Sequence, residues 1–269
     1  MRRTEIEEKW MDVDGCRIRY IDEGAGPAIL FLHGLGGKIE DNDLCFQFLT
    51  DRFRVVAMDC PGSGFSDKPD RDYSIDYLVE FSLEFAGRMG MEEYFVCGGS
   101  QGGLQTLLCC LRAPDRIPKA AVYSPAGVWP PRPVAARIFD SLPPSAVNLF
   151  FQFTSLFWNS PSHPEYWKNR KSSLEFIDYA AKEPGFGRHV FGCLASVFER
   201  DQRERFSEIT TPVLILWGSH DFGMPVSQGR ELDGILPDSR LIVVPRAGHN
   251  VPLEKPVFFA EKISEFFLS

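Results

Sequence analysis

Five residues constrain this chain more than any others. The apolar run Tyr94-Phe95-Val96-Cys97 leads straight into Gly98-Gly99-Ser100-Gln101-Gly102, and the helical stretch Leu104 to Leu111 begins at once. A strand that must become a helix so abruptly needs positions without side chains, which the glycines supply. The turn lifts Ser100 clear of the backbone and sets it at a helix N-terminus, where developing negative charge is stabilised. A serine in this pattern could also do no more than cap the helix. With 23 glycines in the chain, G-x-S-x-G alone does not separate the two readings.

The surrounding alternation favours a layered architecture. Strands are expected at Trp10–Val13, Arg17–Ile21, Ala28–Leu32, Val55–Asp59, Tyr94–Cys97, Ala120–Tyr123, Val213–Trp217 and Leu241–Val244. Helices are expected at Asp41–Leu49, Ser74–Met89, Gln101–Arg112, Ser227–Leu236 and Pro256–Phe267. Strands alternating with helices imply an α/β fold, with a mostly parallel sheet covered on both faces. Asp14-Gly15 between the first two strands is a type I′ hairpin signal, so the sheet begins antiparallel.

From about Gly127 to Phe206 the alternation stops. Pro130, Pro131, Pro133, Pro143 and Pro144 cluster here, and Phe150, Phe151, Phe153 and Phe157 follow closely. Ser172–Ala181 and Gly187–Glu199 read as helices. Residues 128–206 are therefore expected to form a helical insertion into a core built from residues 1–127 and 207–269.

A net charge of −8 gives no basic footprint, which argues against a nucleic-acid partner and against an anionic membrane surface. No stretch approaches the roughly 18 apolar residues of a membrane span. The charged start Met1-Arg2-Arg3-Thr4-Glu5 does not read as a secretory signal. Seven cysteines, an odd count without C-x-x-C pairing, sit mostly among apolar neighbours. A reducing, cytoplasmic compartment is expected.

A serine hydroxyl becomes a useful nucleophile when a base takes its proton and a third group orients that base. His249 lies in Ala247-Gly248-His249-Asn250, just beyond the last strand. Asp221 lies in Trp217-Gly218-Ser219-His220-Asp221, also just beyond a strand. Loops at that edge of a parallel sheet are where ligands bind. The alternative acid position, after Ala120–Tyr123, offers only Ser124, Pro125 and Ala126. His220 is the lesser candidate for the base. His33-Gly34-Leu35-Gly36-Gly37 brings backbone N–H groups to the same edge, and the Gln101 N–H supplies the other half of an oxyanion hole. A phosphate-binding role for this loop is disfavoured. Ile39 stands where a dinucleotide fingerprint needs its third glycine, and Lys38 is not followed by Ser or Thr. Asp59-Cys60-Pro61-Gly62-Ser63-Gly64 reads as a structural turn. No Cys/His cluster suggests a metal.

These pieces resemble the α/β-hydrolase superfamily over nearly the whole chain. The resemblance rests on His33-Gly34-Leu35-Gly36, the turn from Asp59 to Ser66, the elbow at Ser100, Trp217-Gly218-x-x-Asp221 and Gly248-His249-x-x-x-x-Glu254-x-Pro256. It implies an eight-stranded, mostly parallel sheet with the insertion as a helical cap. It also implies a Ser100, Asp221, His249 triad, with the backbone of Leu35, or Gly36 beside it, and Gln101 forming the oxyanion hole. Haloalkane dehalogenases and epoxide hydrolases look similar but carry aspartate at the elbow. Meta-cleavage-product hydrolases share the serine, yet Gln101 and Asn250 depart from their pattern.

The expected activity is a cofactor-free serine hydrolysis of small to medium, largely apolar carboxylic esters. Trp129, Phe150, Phe153 and Phe157 are expected to line the substrate pocket. The alternatives are carbon–carbon bond hydrolysis of the meta-cleavage type and a slow-turnover ligand receptor that retains the triad. An aromatic patch on the cap could mediate a homodimer, and Arg170 or Arg188 could bind a substrate carboxylate.

Overall fold

The computed structural model describes residues 7–156 and 166–269. Among them run eight strands: β1 (Lys9–Val13), β2 (Cys16–Glu23), β3 (Ala28–Leu32), β4 (Arg54–Met58), β5 (Phe95–Gly99), β6 (Ala120–Tyr123), β7 (Val213–Gly218) and β8 (Ser239–Val244). They form one sheet in the order β1-β2-β4-β3-β5-β6-β7-β8. The β1/β2 and β2/β4 pairs are antiparallel, and every later pair is parallel. Asp14 and Gly15 both have positive φ, 53° and 66°, as a type I′ hairpin turn requires.

The helices are α1 (Asp43–Phe46), α2 (Ile75–Arg88), α3 (Gln101–Arg112), α4 (Pro133–Ser141), α5 (Val147–Thr154), α6 (Tyr166–Ala180), α7 (Pro184–Glu199), α8 (Gln202–Phe206), α9 (Val226–Ile235), α10 (Val251–Glu254) and α11 (Pro256–Phe267). Alternate residues of the strands face opposite layers. Ile29, Phe31, Val55 and Ala57 pack with Phe46, Phe259 and Ile263. Leu30, Leu32, Val56 and Met58 pack with Val79, Leu104 and Leu107. Burial on both faces is why the central strands are apolar at every position rather than at every second one.

Between β6 and β7 the chain builds α4 to α8, with an apolar cluster of its own. Val147, Phe151, Ile177, Ala180, Phe186, Val190 and Phe191 are buried there against one another. Helices α4 and α5 add to the two helices expected within this insertion. Pro133 stands in the first turn of α4, where its missing N–H costs nothing and its fixed φ suits the helix. The expected helix over Asp41–Leu49 is instead a 3₁₀ turn, Ile39–Asp41, followed by the single turn of α1. No described helix is long and apolar enough to cross a membrane.

The strand order fixes where a ligand would enter. From β3 the chain goes to β4 on one side, then returns through α2 to β5 on the other. The carboxyl ends of β3 and β5 flank this reversal, the usual place for a binding crevice in an open α/β sheet. The loops carrying Leu35 and Ser100 leave from those two ends.

Candidate active site

Ser100 has φ 52° and ψ −121°, a conformation that costs energy for a residue with a side chain and persists only where its surroundings enforce it. Here they do. The Ser100 N–H donates to the carbonyls of Tyr123 and Ser124, both at 3.1 Å. Its carbonyl accepts from Leu104 and Ala126 at 3.1 and 2.9 Å. The glycines around it answer to close approach: a Cβ at Gly99 would stand inside the Tyr123 ring, and one at Gly102 would strike the Leu32 carbonyl. Ser100 itself is half-buried and faces open space.

Three backbone N–H groups at this edge, those of Leu35, Gly36 and Gln101, donate to no described protein acceptor. His33 anchors the Leu35 loop. Its Nε2 accepts from the Cys60 N–H at 2.9 Å, so Nδ1 carries the proton and donates to the Gly34 carbonyl at 2.7 Å. That anchoring role had no signal in the sequence beyond the glycines beside it.

Asp221 and His249 stand on the loops after β7 and β8. His249 Nδ1 lies 2.7 Å from Asp221 Oδ2, while Asp221 Oδ1 accepts from the Met224 N–H at 2.8 Å. The carboxylate is thereby held in one orientation and is fully buried. The two loops are laced together by Ser219 N–H to the Val244 carbonyl and His220 N–H to the Ala247 carbonyl, at 2.9 and 2.8 Å. The Gly248 N–H donates to Glu254 Oε2 at 3.0 Å, which fixes the backbone before His249. Burial disfavours a charged imidazole here, but Asp221 outweighs it and Glu254 adds to it. The His249 pKa therefore lies above its ordinary value. The His220 ring stacks on Phe222 instead, and His220 lines neither cavity at this site.

Two cavities meet here, of about 250 and about 480 Å³. Ser100, His249, Leu35 and Thr154 line both of them. Of the aromatic residues expected at the pocket, Phe150 lines the smaller cavity and Trp129 the larger. Phe153 lines neither. It lies on the outer face of α5 and is 67% exposed, because Phe150, Phe151 and Thr154 take the inward face. Phe157 falls outside the described residues. Leu194, Val197, Phe222 and Met224 complete the larger cavity, and no periodicity in the sequence singles them out. Arg188 pairs with Asp70, and Arg170 donates to the Gln152 carbonyl at 3.3 Å. Neither lines a cavity.

Asp59 is structural. Its Oδ1 accepts from the Ile39 N–H and its Oδ2 from the Phe65 N–H, both at 2.8 Å. Its Oδ2 also pairs with Arg19 Nη1 at 3.1 Å. Arg19 is buried too, and reaches Glu40 and Glu8 as well.

Comparison with known proteins identifies the family and the fold. A family profile described as alpha/beta hydrolase fold matches residues 27–256. Haloalkane dehalogenase 2 of Mycobacterium tuberculosis (strain ATCC 25618 / H37Rv) is 29% identical over 274 residues, covering 97% of this chain and 95% of that one. The 2-hydroxy-6-oxo-6-phenylhexa-2,4-dienoate hydrolase of Burkholderia cepacia is 26% identical, over 91% of this chain and 88% of that one. The crystal structure of an enol-lactonase from Burkholderia xenovorans LB400 superposes with a TM-score of 0.81 at 22% identity, covering 97% and 100% of the two chains. This last likeness is one of fold.

Proposed function

The chain belongs to the α/β-hydrolase fold family, and from that premise we propose that it is a serine hydrolase of small to medium, largely apolar carboxylic esters. The observation that carries the reading is the His249–Asp221 contact of 2.7 Å, with His249 and the strained Ser100 lining the same two cavities and unused backbone donors at Leu35, Gly36 and Gln101. Ser100 Oγ attacks the ester carbonyl as His249 Nε2 takes its proton. The N–H groups of Leu35 and Gln101 receive the oxyanion. His249 then returns the proton to the departing alcohol. Water, activated by the same ring, releases the acid and restores Ser100. Asp221 holds the ring in the tautomer that leaves Nε2 free to accept, and stabilises the imidazolium. No step calls for a cofactor.

The nucleophile separates this reading from the chemistry named for the mycobacterial relative. A carboxylate that displaces halide forms an ester, which water can cleave at its carbonyl. A serine hydroxyl doing the same would form an ether, which has no carbonyl and would not turn over. Acyl transfer is the reaction that suits Ser100. Carbon–carbon hydrolysis of an anionic dienoate is less well supported. Arg170 and Arg188 lie outside both cavities, and Lys38, the one lysine among the described residues lining the site, has Glu40 at 3.5 Å and Asp41 at 4.0 Å.

In this reading residues 128–206 act as a cap over the site, with Trp129, Phe150, Val197 and Met224 supplying apolar walls. All seven cysteines are buried and free, which supports a reducing, cytoplasmic setting. The test is hydrolysis of p-nitrophenyl esters from acetate to dodecanoate, with Ser100→Ala alongside. Turnover that depends on Ser100 and peaks at one chain length is expected. Turnover no greater than that of Ser100→Ala overturns the reading.

A further inference from the structure

The two cavities that meet at Ser100 differ in chemistry. Beyond the residues lining both, the larger is walled mainly by Trp129, Leu194, Val197, Phe222 and Met224, with the polar side chain of Gln101 among them. The smaller has an apolar wall of Phe150, Phe151, Phe176, Ile177 and Leu253, and a polar side made by Lys38, Asp41, Ser172, Ser173 and Asn250. The polar five bring hydrogen-bond donors and acceptors together in one small space. Lys38 and Asp41 contribute one charge of each sign. Glu40 lies 3.5 Å from the Lys38 ammonium, which leaves no surplus positive charge to hold an anion. The hydroxyls of Ser172, which is exposed, and of Ser173, which is half-buried, have no hydrogen-bond partner among the described residues. Asn250 donates to the Asp41 carbonyl at 3.2 Å, while its Oδ1 is buried without a partner. Hydroxyl groups suit such a lining, because each both donates and accepts and carries no charge.

We propose that the smaller cavity binds the alcohol half of the ester, that this alcohol is a short polyol of the glyceryl type, and that the acyl chain occupies the larger cavity. This rests on the serine-esterase reading above. His249 lines both cavities, so the ring that protonates the departing alkoxide reaches an alcohol held on the smaller side. A polyol bonded there is positioned for that transfer, whereas a plain alkyl alcohol gives Asn250 Oδ1 and the Ser173 hydroxyl no partner, which disfavours its binding.

The experiment compares kcat/KM for three octanoates that share one acyl group: monooctanoylglycerol, propyl octanoate and p-nitrophenyl octanoate. The glyceryl ester is expected to exceed the propyl ester by about tenfold or more. In the Ser172→Ala/Ser173→Ala double variant that ratio should fall to within about threefold. Reading the ratio makes the result independent of any general loss of activity. Both substitutions replace a helical serine with the best helix former, so folding is preserved. Equal rates on the glyceryl and propyl esters, or a ratio the double variant leaves untouched, overturn the polyol proposal. If p-nitrophenyl octanoate is cleaved by Ser100 in that case, the esterase reading stands alone. If no octanoate is turned over, both fall.

Discussion

The Tyr123 hydroxyl donates a 2.5 Å hydrogen bond to Oδ1 of Asn42, tying the end of β6 to the residue just before α1 through the buried interior. The same ring fills the space that a Cβ at Gly99 would need. One side chain therefore holds both a helix start and the shape of the elbow. Tyr123→Phe would keep the ring and leave Asn42 Oδ1 without its donor. It should cost about 1–3 kcal/mol of stability with little effect on turnover, as urea unfolding and ester hydrolysis would report.

Removing the nucleophile or the base should abolish turnover without unfolding the protein. Ser100→Ala and His249→Ala are each expected to lower kcat by roughly 10⁴–10⁶-fold. Circular dichroism should stay unchanged, since the elbow is held through its backbone. A folded variant that keeps a tenth of the wild-type rate would remove that residue from the triad.

The pH profile should carry the mark of Asp221. His249 works as a base only when neutral, so activity rises as the pH passes through its pKa. Asp221 raises that pKa, which places the acid limb of kcat/KM above the ordinary imidazole range. Asp221→Asn takes away the charge that raises it. The limb should move to lower pH, and the rate on the plateau should fall about 10⁴-fold because the ring loses its tautomer. A limb that stays in place would show that another group titrates.

Gln101→Ala should change turnover by no more than about threefold, because the reaction uses only the backbone N–H of this residue. Both amide atoms of its side chain are buried and unbonded in the protein. A thousandfold loss in steady-state assays would instead assign the side chain a direct part in the chemistry.

The walls of the larger cavity should set the acyl length. Leu194→Phe adds volume there and should shift the preferred p-nitrophenyl ester toward shorter chains. Phe153→Ser, on the solvent side of α5, should leave the chain-length profile as it is.

Sequence alone determined the skeleton. Every strand of the sheet was legible: burial on both faces leaves the central ones as continuous apolar runs, as at Ala28–Leu32 and Val213–Gly218, and Asp14-Gly15 marks the hairpin that joins the first two. The elbow was legible too. Gly98, Gly99 and Gly102 meet a local steric demand that no other residue type satisfies, and Asp221 and His249 follow their strands directly in the chain. Helices α4 and α5 were not legible, because proline in the first turn of α4, and in the 3₁₀ turn that precedes α5, reads as a break until the turn is seen. Tertiary structure decided everything that depends on residues distant in the chain meeting in space. It set His249 Nδ1 against Asp221 across 28 positions. It anchored the Leu35 loop through His33 and Cys60. It turned Phe153 outward while Leu194, Val197 and Met224 closed the cavity. It also gathered Lys38, Ser172, Ser173 and Asn250 onto one side of the smaller cavity. The physical reason is that periodicity and turn chemistry act between near neighbours, whereas a cavity is made by whichever side chains the packing of separate elements leaves facing one another.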